Sequence, residues 1–434
     1  MTEAIPKSEE IVIDNSLAEK KRLTKTERRN FIGGLWHGAF LAFGVSLTQP
    51  TTVIAAFVAS LTGSTIWVGG LVTVLTVAEV LPQPFVARSI EPRSRKMPYL
   101  MLAIYLRVIS WGVLAVLIFT IGAYKPELLA WALVGLLAIF YAGGGLGNIP
   151  YTDIIGKIIP SNRRGAFFGG RQALAAPLAV GAALLARRIL AEVTYPDNYA
   201  LLFGLAAVGL AVASLGFWLI REPVHKNEQE KPLTWREYGA QIKTTSQRLR
   251  TLMVVQWLTG FSLMAIPFYV VYAREELGAP PEAVGWFLLA QVLGGVVATL
   301  FWARLVDHSG SRQMLTVCAT ISALTPILAI VLGTFGWYAL LPVFFLMGAT
   351  FNGRVVGFNS ALLELSPMTE RPTYAGVNAV LLLPVAFLPL IAGVLLGWWS
   401  YQTLFLFVSI FIALGAIWTR RLPSKTGVCS QEVS

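Results

Sequence analysis

Apolar runs of about 20 residues, recurring along most of the 434-residue chain, restrict its fold more than any other feature. An α-helix rises about 1.5 Å per residue, so a run of roughly 20 crosses the ~30 Å hydrocarbon core of a bilayer. No water reaches the backbone there, so a spanning segment must satisfy its own N–H and C=O groups, and a continuous apolar run does so as a helix. Composition agrees: 56% of residues are hydrophobic and 13% charged, with mean hydropathy +0.66, where a soluble domain carries about 25% charged residues. Twelve helices are expected, at roughly 31–58, 65–88, 98–121, 128–156, 166–192, 199–220, 251–275, 283–306, 313–333, 338–365, 374–398 and 402–420. The expected fold is therefore an all-α membrane protein.

The charges mark the loops. Met1–Asn30 is polar and mixed in charge, so the first apolar run is expected to be a retained span rather than a signal peptide. If both ends share one side of the membrane, 28 of the 34 Lys and Arg fall on that side. Four fall opposite (Lys125, Arg187, Arg188, Arg274), and Arg107 and Arg354 lie within spans. Basic residues favour the cytoplasmic side, so both termini are expected there, in the plasma (inner) membrane. The net charge of +11 is read as attraction to the membrane surface, not to nucleic acid. One long polar break, Glu222–Arg250, divides the chain. Within it, Leu233–Leu249 reads either as a basic amphipathic helix on the membrane face or as a solvated linker. The expected parts are an N-terminal tail (1–30), a first bundle (31–220), a linker (221–250), a second bundle (251–421) and a C-terminal tail (422–434).

The halves echo each other. Phe85–Lys96 (FVARSIEPRSRK) parallels Phe301–Arg312 (FWARLVDHSGSR), 216 residues on. Each has Phe-x-Ala-Arg (Arg88, Arg304), then an acid (Glu91, Asp307), then a base (Lys96, Arg312); Arg95 and Gly310 complete the two loops. Pro160–Gly169 parallels Pro367–Gly376 at an offset of 207, and Pro50 in the first span parallels Pro267 in the seventh. A charged turn used twice at half-chain spacing points to an internally duplicated membrane protein. The two loops resemble the signature loop of the major facilitator superfamily, Gly-x-x-x-Asp-Arg-x-Gly-Arg-Arg, found between helices 2 and 3 and again between 8 and 9. Ala87 and Ala303 replace the first Gly, and the second copy matches better through Asp307 and Gly310. The resemblance implies two pseudo-symmetric six-helix bundles around a central cavity, with spans 1, 4, 7 and 10 lining it and spans 3, 6, 9 and 12 facing lipid.

A charge inside a span costs about 2.5–3.5 kcal/mol on insertion scales, so each needs a reason. Arg354 lies near the middle of the tenth span, where the repeat-equivalent residue is Gly147. It is expected to hold an anionic group of a solute or to pair with a carboxylate that exchanges a proton. Asp153, whose repeat partner is Ser360, is either a proton site or gate, or the i+4 partner of Lys157. Glu79 and Arg107 fall at similar depth in neighbouring spans and read as a structural ion pair or a coupling site. Glu364, at the inner end of the tenth span, reads as a gate or surface residue. Gln49, Asn148, Tyr151, Asn352 and Asn359 are the uncharged candidates for hydrogen-bonding a solute, with helix-to-helix polar contacts as the other reading.

No phosphate-binding Gly-x-x-x-x-Gly-Lys-Ser/Thr, nucleophile constellation or metal set is present, and His37, His225 and His308 are scattered. Neither enzyme, ATP-driven pump, metal nor cofactor is expected. Cys318 and Cys429 form no disulfide framework. The expected function is secondary transport by alternating access of a small polar organic solute, anionic where Arg354 meets it, by a monomer whose partners are the solute, protons and lipid. A facilitator without a coupling ion is the nearest rival mechanism. The other readings are a multidrug or amphiphile efflux pump and a membrane scaffold or assembly factor without transport. Against efflux stand two departures: the fourth span has no Arg before Lys157, and the fifth-span Gly-Pro motif survives only as Ala176-Pro177.

Overall fold

Helices 1 and 7 are both broken next to a proline, and the breaks shape the molecule. The computed structural model describes residues 24–83, 86, 93–223, 235–366 and 371–423. In the first bundle these form α1 (Lys25–Thr62), α2 (Thr65–Val80), α3 (Met97–Ile121), α4 (Pro126–Ile158), α5 (Arg164–Glu192) and α6 (Asp197–Leu219). In the second bundle α7 runs from Trp235 to Glu275 in three pieces, Trp235–Gly260, Ser262–Ala265 and Phe268–Glu275. Ala283–Gly333 is one 51-residue helical stretch, about twice the length that crosses a membrane. Gly310 splits it with φ 78° and ψ 170°, giving α8 (283–309) and α9 (311–333). Then come α10 (Leu341–Leu365), α11 (Arg371–Leu395, bent at 382–387) and α12 (Tyr401–Trp418). Twelve helices thus stand where twelve apolar runs predict them.

Three boundaries differ by more than five residues, the first being α2, which ends at Val80 with Leu81–Pro82 in a turn, short of the expected 88. Helix α1 begins at Lys25, because Thr24 caps it: its hydroxyl accepts from Glu27 N at 3.2 Å while the Glu27 carboxylate accepts from Thr24 N at 2.8 Å. Trp235 to Gly260 is continuous helix, so the second half of the linker extends α7 rather than forming a separate element.

Alternate helices run in opposite directions, so both ends of the described chain, the end of α6 and the start of α7 lie on one side, here the terminal side. Within each bundle small residues set the helix spacing. Gly33 of α1 faces Gly216 of α6, where an added Cβ on either would come within 2.5 Å of the other's carbonyl oxygen. Gly294 of α8 and Gly348 of α10 do the same against Phe345 and Gln291 backbone. With lipid as apolar as leucine, such close backbone approach supplies the attraction between helices.

The bundles meet on the far side. Thr65 donates to the Gly393 carbonyl at 2.8 Å, and Gly69 lies against the Pro389 backbone, joining α2 to α11. Arg187 of α5 stacks on Trp286 of α8 at 4.2 Å, over Gly285. Gln291 of α8 donates to Thr51 of α1 at 3.0 Å. Beyond the breaks, Val53–Val58 and Phe268–Ala273 are buried throughout. Proline lacks an N–H and leaves a carbonyl one turn back without its donor, so α1 and α7 can bend there and lean together. These contacts between the bundles lie in the far half, while Glu79, Asn148, Phe351 and Val355, nearer the terminal side, are exposed.

Candidate functional site

Helix α3 has two faces of different character. Leu102, Tyr105, Ile109, Val116 and Phe119 form an exposed apolar face, as expected toward lipid. Ala103, Trp111 and Leu114 turn inward, and Arg107 projects from the same side. The third span therefore does more than face lipid. Arg107 lines a cavity of about 270 Å³ inside the first bundle. Its polar lining is His37 from α1, Glu79 from α2, Arg107 from α3, Asn148 and Tyr151 from α4, and Arg171 from α5, with Tyr141 beside them.

Three of these residues are absent from the sequence candidates. Arg171, counted among the loop bases from the sequence, lies two turns inside α5, which takes one base from the 28 and leaves 27 without disturbing the asymmetry. It donates to the Tyr151 hydroxyl and lies over that ring at 5.4 Å. Gly38 makes the room: a Cβ there would lie 2.3 Å from the Arg171 side chain. His37 looks scattered in sequence, yet packs on Phe217 at 4.2 Å, with Nδ1 3.3 Å from the Ala213 carbonyl. Tyr141 forms the third addition, one residue from Phe140. The i, i+3 and i, i+4 relations that gather these groups on facing helices were readable only once the helices were placed.

Glu79 and Arg107 share the cavity but form no direct ion pair. The Glu79 side chain is exposed on the cleft, and α2 approaches α4 so closely that a Cβ on Gly145 would meet the Glu79 carbonyl at 2.1 Å. Arg107 lies over the Phe140 ring at 4.4 Å, and its Nε is buried without an acceptor. Gly143 leaves the space for its side chain, with a Cβ 3.2 Å from Arg107 Cγ. The structural ion pair expected from depth alone is not what the packing makes.

Arg354 lies elsewhere, in the second bundle. It reaches from α10 to the break in α7, donating to the Thr259 carbonyl at 2.9 Å and to the Ser262 hydroxyl. Its guanidinium also sits 5.9 Å from the Phe358 ring. Asp153 is not its partner. Asp153 pairs with Lys157 at 2.6 Å, the i+4 contact, and with Lys96 of the first signature loop at 3.1 Å. Lys96 is 2% exposed, and its backbone N–H donates to Glu222 at 3.0 Å, as does that of Met97 at 2.9 Å. Glu222 thereby caps α3.

Glu364 plays a matching part in the second bundle: its carboxylate accepts from the Ser311 N–H at 3.3 Å and from its hydroxyl, capping α9 just past Gly310. Asn352 donates to the Gly295 carbonyl at 3.0 Å and to Thr299 at 3.3 Å, tying α10 to α8. Gln49 stands at the break of α1, where its carbonyl accepts from Val53 N at 2.9 Å. Asn359 is exposed on α10, Arg95, Arg304 and Asp307 are exposed, and Arg312 is half-buried. Arg88 and Glu91 lie outside the described residues. Of the expected set, then, Glu79, Arg107, Asn148 and Tyr151 come together; Arg354, Asn352 and Asp153 serve three separate contacts.

Residues 252–432 match the sequence model of the Major Facilitator Superfamily. MdtD of Enterobacter sp. (strain 638), which carries the name of a multidrug resistance protein, is 26% identical over 180 residues, 37% of this chain and 38% of that protein. Uncharacterized protein Rv2209 of Mycobacterium tuberculosis (strain ATCC 25618 / H37Rv) is 25% identical over 319 residues, 69% of this chain and 60% of that one. The chain thus spans less than two thirds of these relatives' lengths. Three solved structures share the fold over nearly the whole chain. A bacterial homologue of the iron transporter ferroportin in an inward-facing state has TM-score 0.65 at 13% identity, covering 93% of this chain and 99% of that one. The nucleoside transporter NupG has 0.66 at 14%, covering 92% and 100%. A D-xylose-proton symporter has 0.61 at 17%, covering 92% and 98%.

Proposed function

The chain belongs to the major facilitator superfamily, and from that premise we propose that it is a secondary transporter that moves a small polar solute by alternating access. The observation that carries this reading is the arrangement of the two bundles. They touch along α2–α11 and α5–α8 on the far side, and a polar cavity opens beside Glu79 and Asn148, both exposed. Rocking about that seam would close the terminal side and open the other. The 27-to-four distribution of bases, with Arg171 set aside, supports an inner-membrane orientation with the terminal side in the cytoplasm. Proton coupling would use a carboxylate on the solute's route, and Glu79 is the one that lines the cavity.

A metal bridge across the seam tests the two-state reading. In a Cys429→Ser background, Thr51→His with Gln291→His, at side chains that meet across the seam at 3.0 Å, would hold the far side shut when Ni²⁺ is added. Alkylation of Asn148→Cys from the terminal side is expected to be maximal with Ni²⁺ bound and to fall on chelation, as the other state becomes populated. Equal reactivity in both conditions would leave a scaffold that kept the fold. A second reading, export of amphiphiles, is favoured by the similarity to MdtD over 37% of the chain. Stabilisation of the purified protein by lipophilic cations, but not by small polar solutes, would select it.

A further inference from the structure

We propose that the cavity inside the first bundle is the solute site and that it takes a small organic carboxylate, gripped by Arg107 and Arg171 with Glu79 as counter-charge at the mouth. The proposal rests on the transporter reading and names its substrate class. The titratable groups facing the cavity are His37, Glu79, Arg107, Tyr141, Tyr151 and Arg171, contributed by α1 to α5. With imidazole and phenols neutral, two cations face one anion, so the cavity has one positive charge to spare.

Neither cation is neutralised locally. Arg171 engages a neutral hydroxyl, and Arg107 a ring face, with its Nε unpartnered. A guanidinium within a span is costly to insert, and the cost is reduced when a complementary anion binds it. Its planar fork suits a carboxylate better than an ammonium would. Room has been left for both side chains, since Gly38 and Gly143 lack the Cβ that would collide with or press on Arg171 and Arg107. At about 270 Å³ the cavity is at the small end of ligand sites, which run from about 300 Å³ upward, and so fits a small acid rather than a large amphiphile. Arg354, by contrast, is already held by the Thr259 carbonyl and Ser262.

Glu79 makes the proposal discriminating. It is exposed at the mouth and unpaired with Arg107, so it repels an incoming anion. A cation site would need that carboxylate; an anion site would bind better without it.

The test uses Asn148→Cys in the Cys429→Ser background, purified in detergent, with melting curves to confirm folding. It needs no transport and so fails independently of the transporter reading. Methanethiosulfonates bearing a sulfonate or a trimethylammonium group report the local potential. The anionic reagent is expected to react about five- to tenfold faster, the effect of one net charge at roughly 8 Å after screening at an effective dielectric of about 20–30. Arg107→Gln should remove the preference and Glu79→Gln should enlarge it. Lactate, succinate and benzoate are then compared with their amides as protectants: one or more acids should slow alkylation at least threefold while its amide does not. Faster reaction of the cationic reagent, loss of the anionic preference on Glu79→Gln, absence of protection by every acid, or equal protection by acid and amide would each overturn the assignment.

Discussion

At the residue scale, the charges divide by what holds them. Lys96 is buried against Asp153, so Asp153→Asn strands an ammonium whose remaining acceptor is an amide. We expect a loss of roughly 3 kcal/mol, discounted because Asp153 is 28% exposed and shared with Lys157. Asp153→Asn with Lys96→Met should recover much of it, read as urea or thermal midpoints. Glu79 is different. Being exposed and outside any ion pair, Glu79→Gln should change stability by no more than about 0.5 kcal/mol, where a buried pair would lose several. Arg354→Ala removes charge-assisted bonds to Thr259 and Ser262 and should lower stability by about 1.5–3 kcal/mol. Its solute response should survive in the folded fraction if the first-bundle cavity is the site; abolished binding with an unchanged melting curve would return the site to α10.

At the element scale, the second signature loop is a helix break with a cap. Gly310 holds φ 78° and ψ 170°, a region open to glycine and strained for other residues. Glu364 from α10 then satisfies the first N–H of α9 and complements its positive end. Gly310→Ala should therefore destabilise by about 1–3 kcal/mol, and Glu364→Gln by about 1 kcal/mol. If Gly310→Ala melted like the parent, the turn would tolerate an ordinary backbone and the break would owe nothing to glycine. Glu222 caps α3 in the first bundle from a different place in the chain, after α6. The two halves thus reach the same cap with non-equivalent residues.

At the scale of the molecule, the seam between bundles has no space for a side chain at Gly69, where a Cβ would stand 2.0 Å from the Pro389 carbonyl oxygen. Gly69→Leu must part α2 from α11 on the far side. If the bundles rock as units, terminal-side alkylation of Asn148→Cys should fall severalfold in this variant. Unchanged alkylation with a normal melting curve would show that the seam yields locally without moving the bundles. Much of this architecture was legible beforehand. Apolar length determined the number of helices, because a bilayer leaves a continuous apolar run no alternative; the charged turns and matching prolines determined the duplication. Within the site, Glu79, Arg107, Asn148 and Tyr151 were legible as polar groups in the wrong solvent, and that signal needs no neighbours. Arg171 and His37 were not, because each looks ordinary in its own segment and acquires meaning from groups more than one helix away. Whether Glu79 and Arg107 pair, and whether Arg354 meets a solute or the broken end of α7, depends on helix rotation and on where glycine lets two backbones approach. Depth along a span follows from counting residues, but direction around it is settled by packing against five or six neighbours at once.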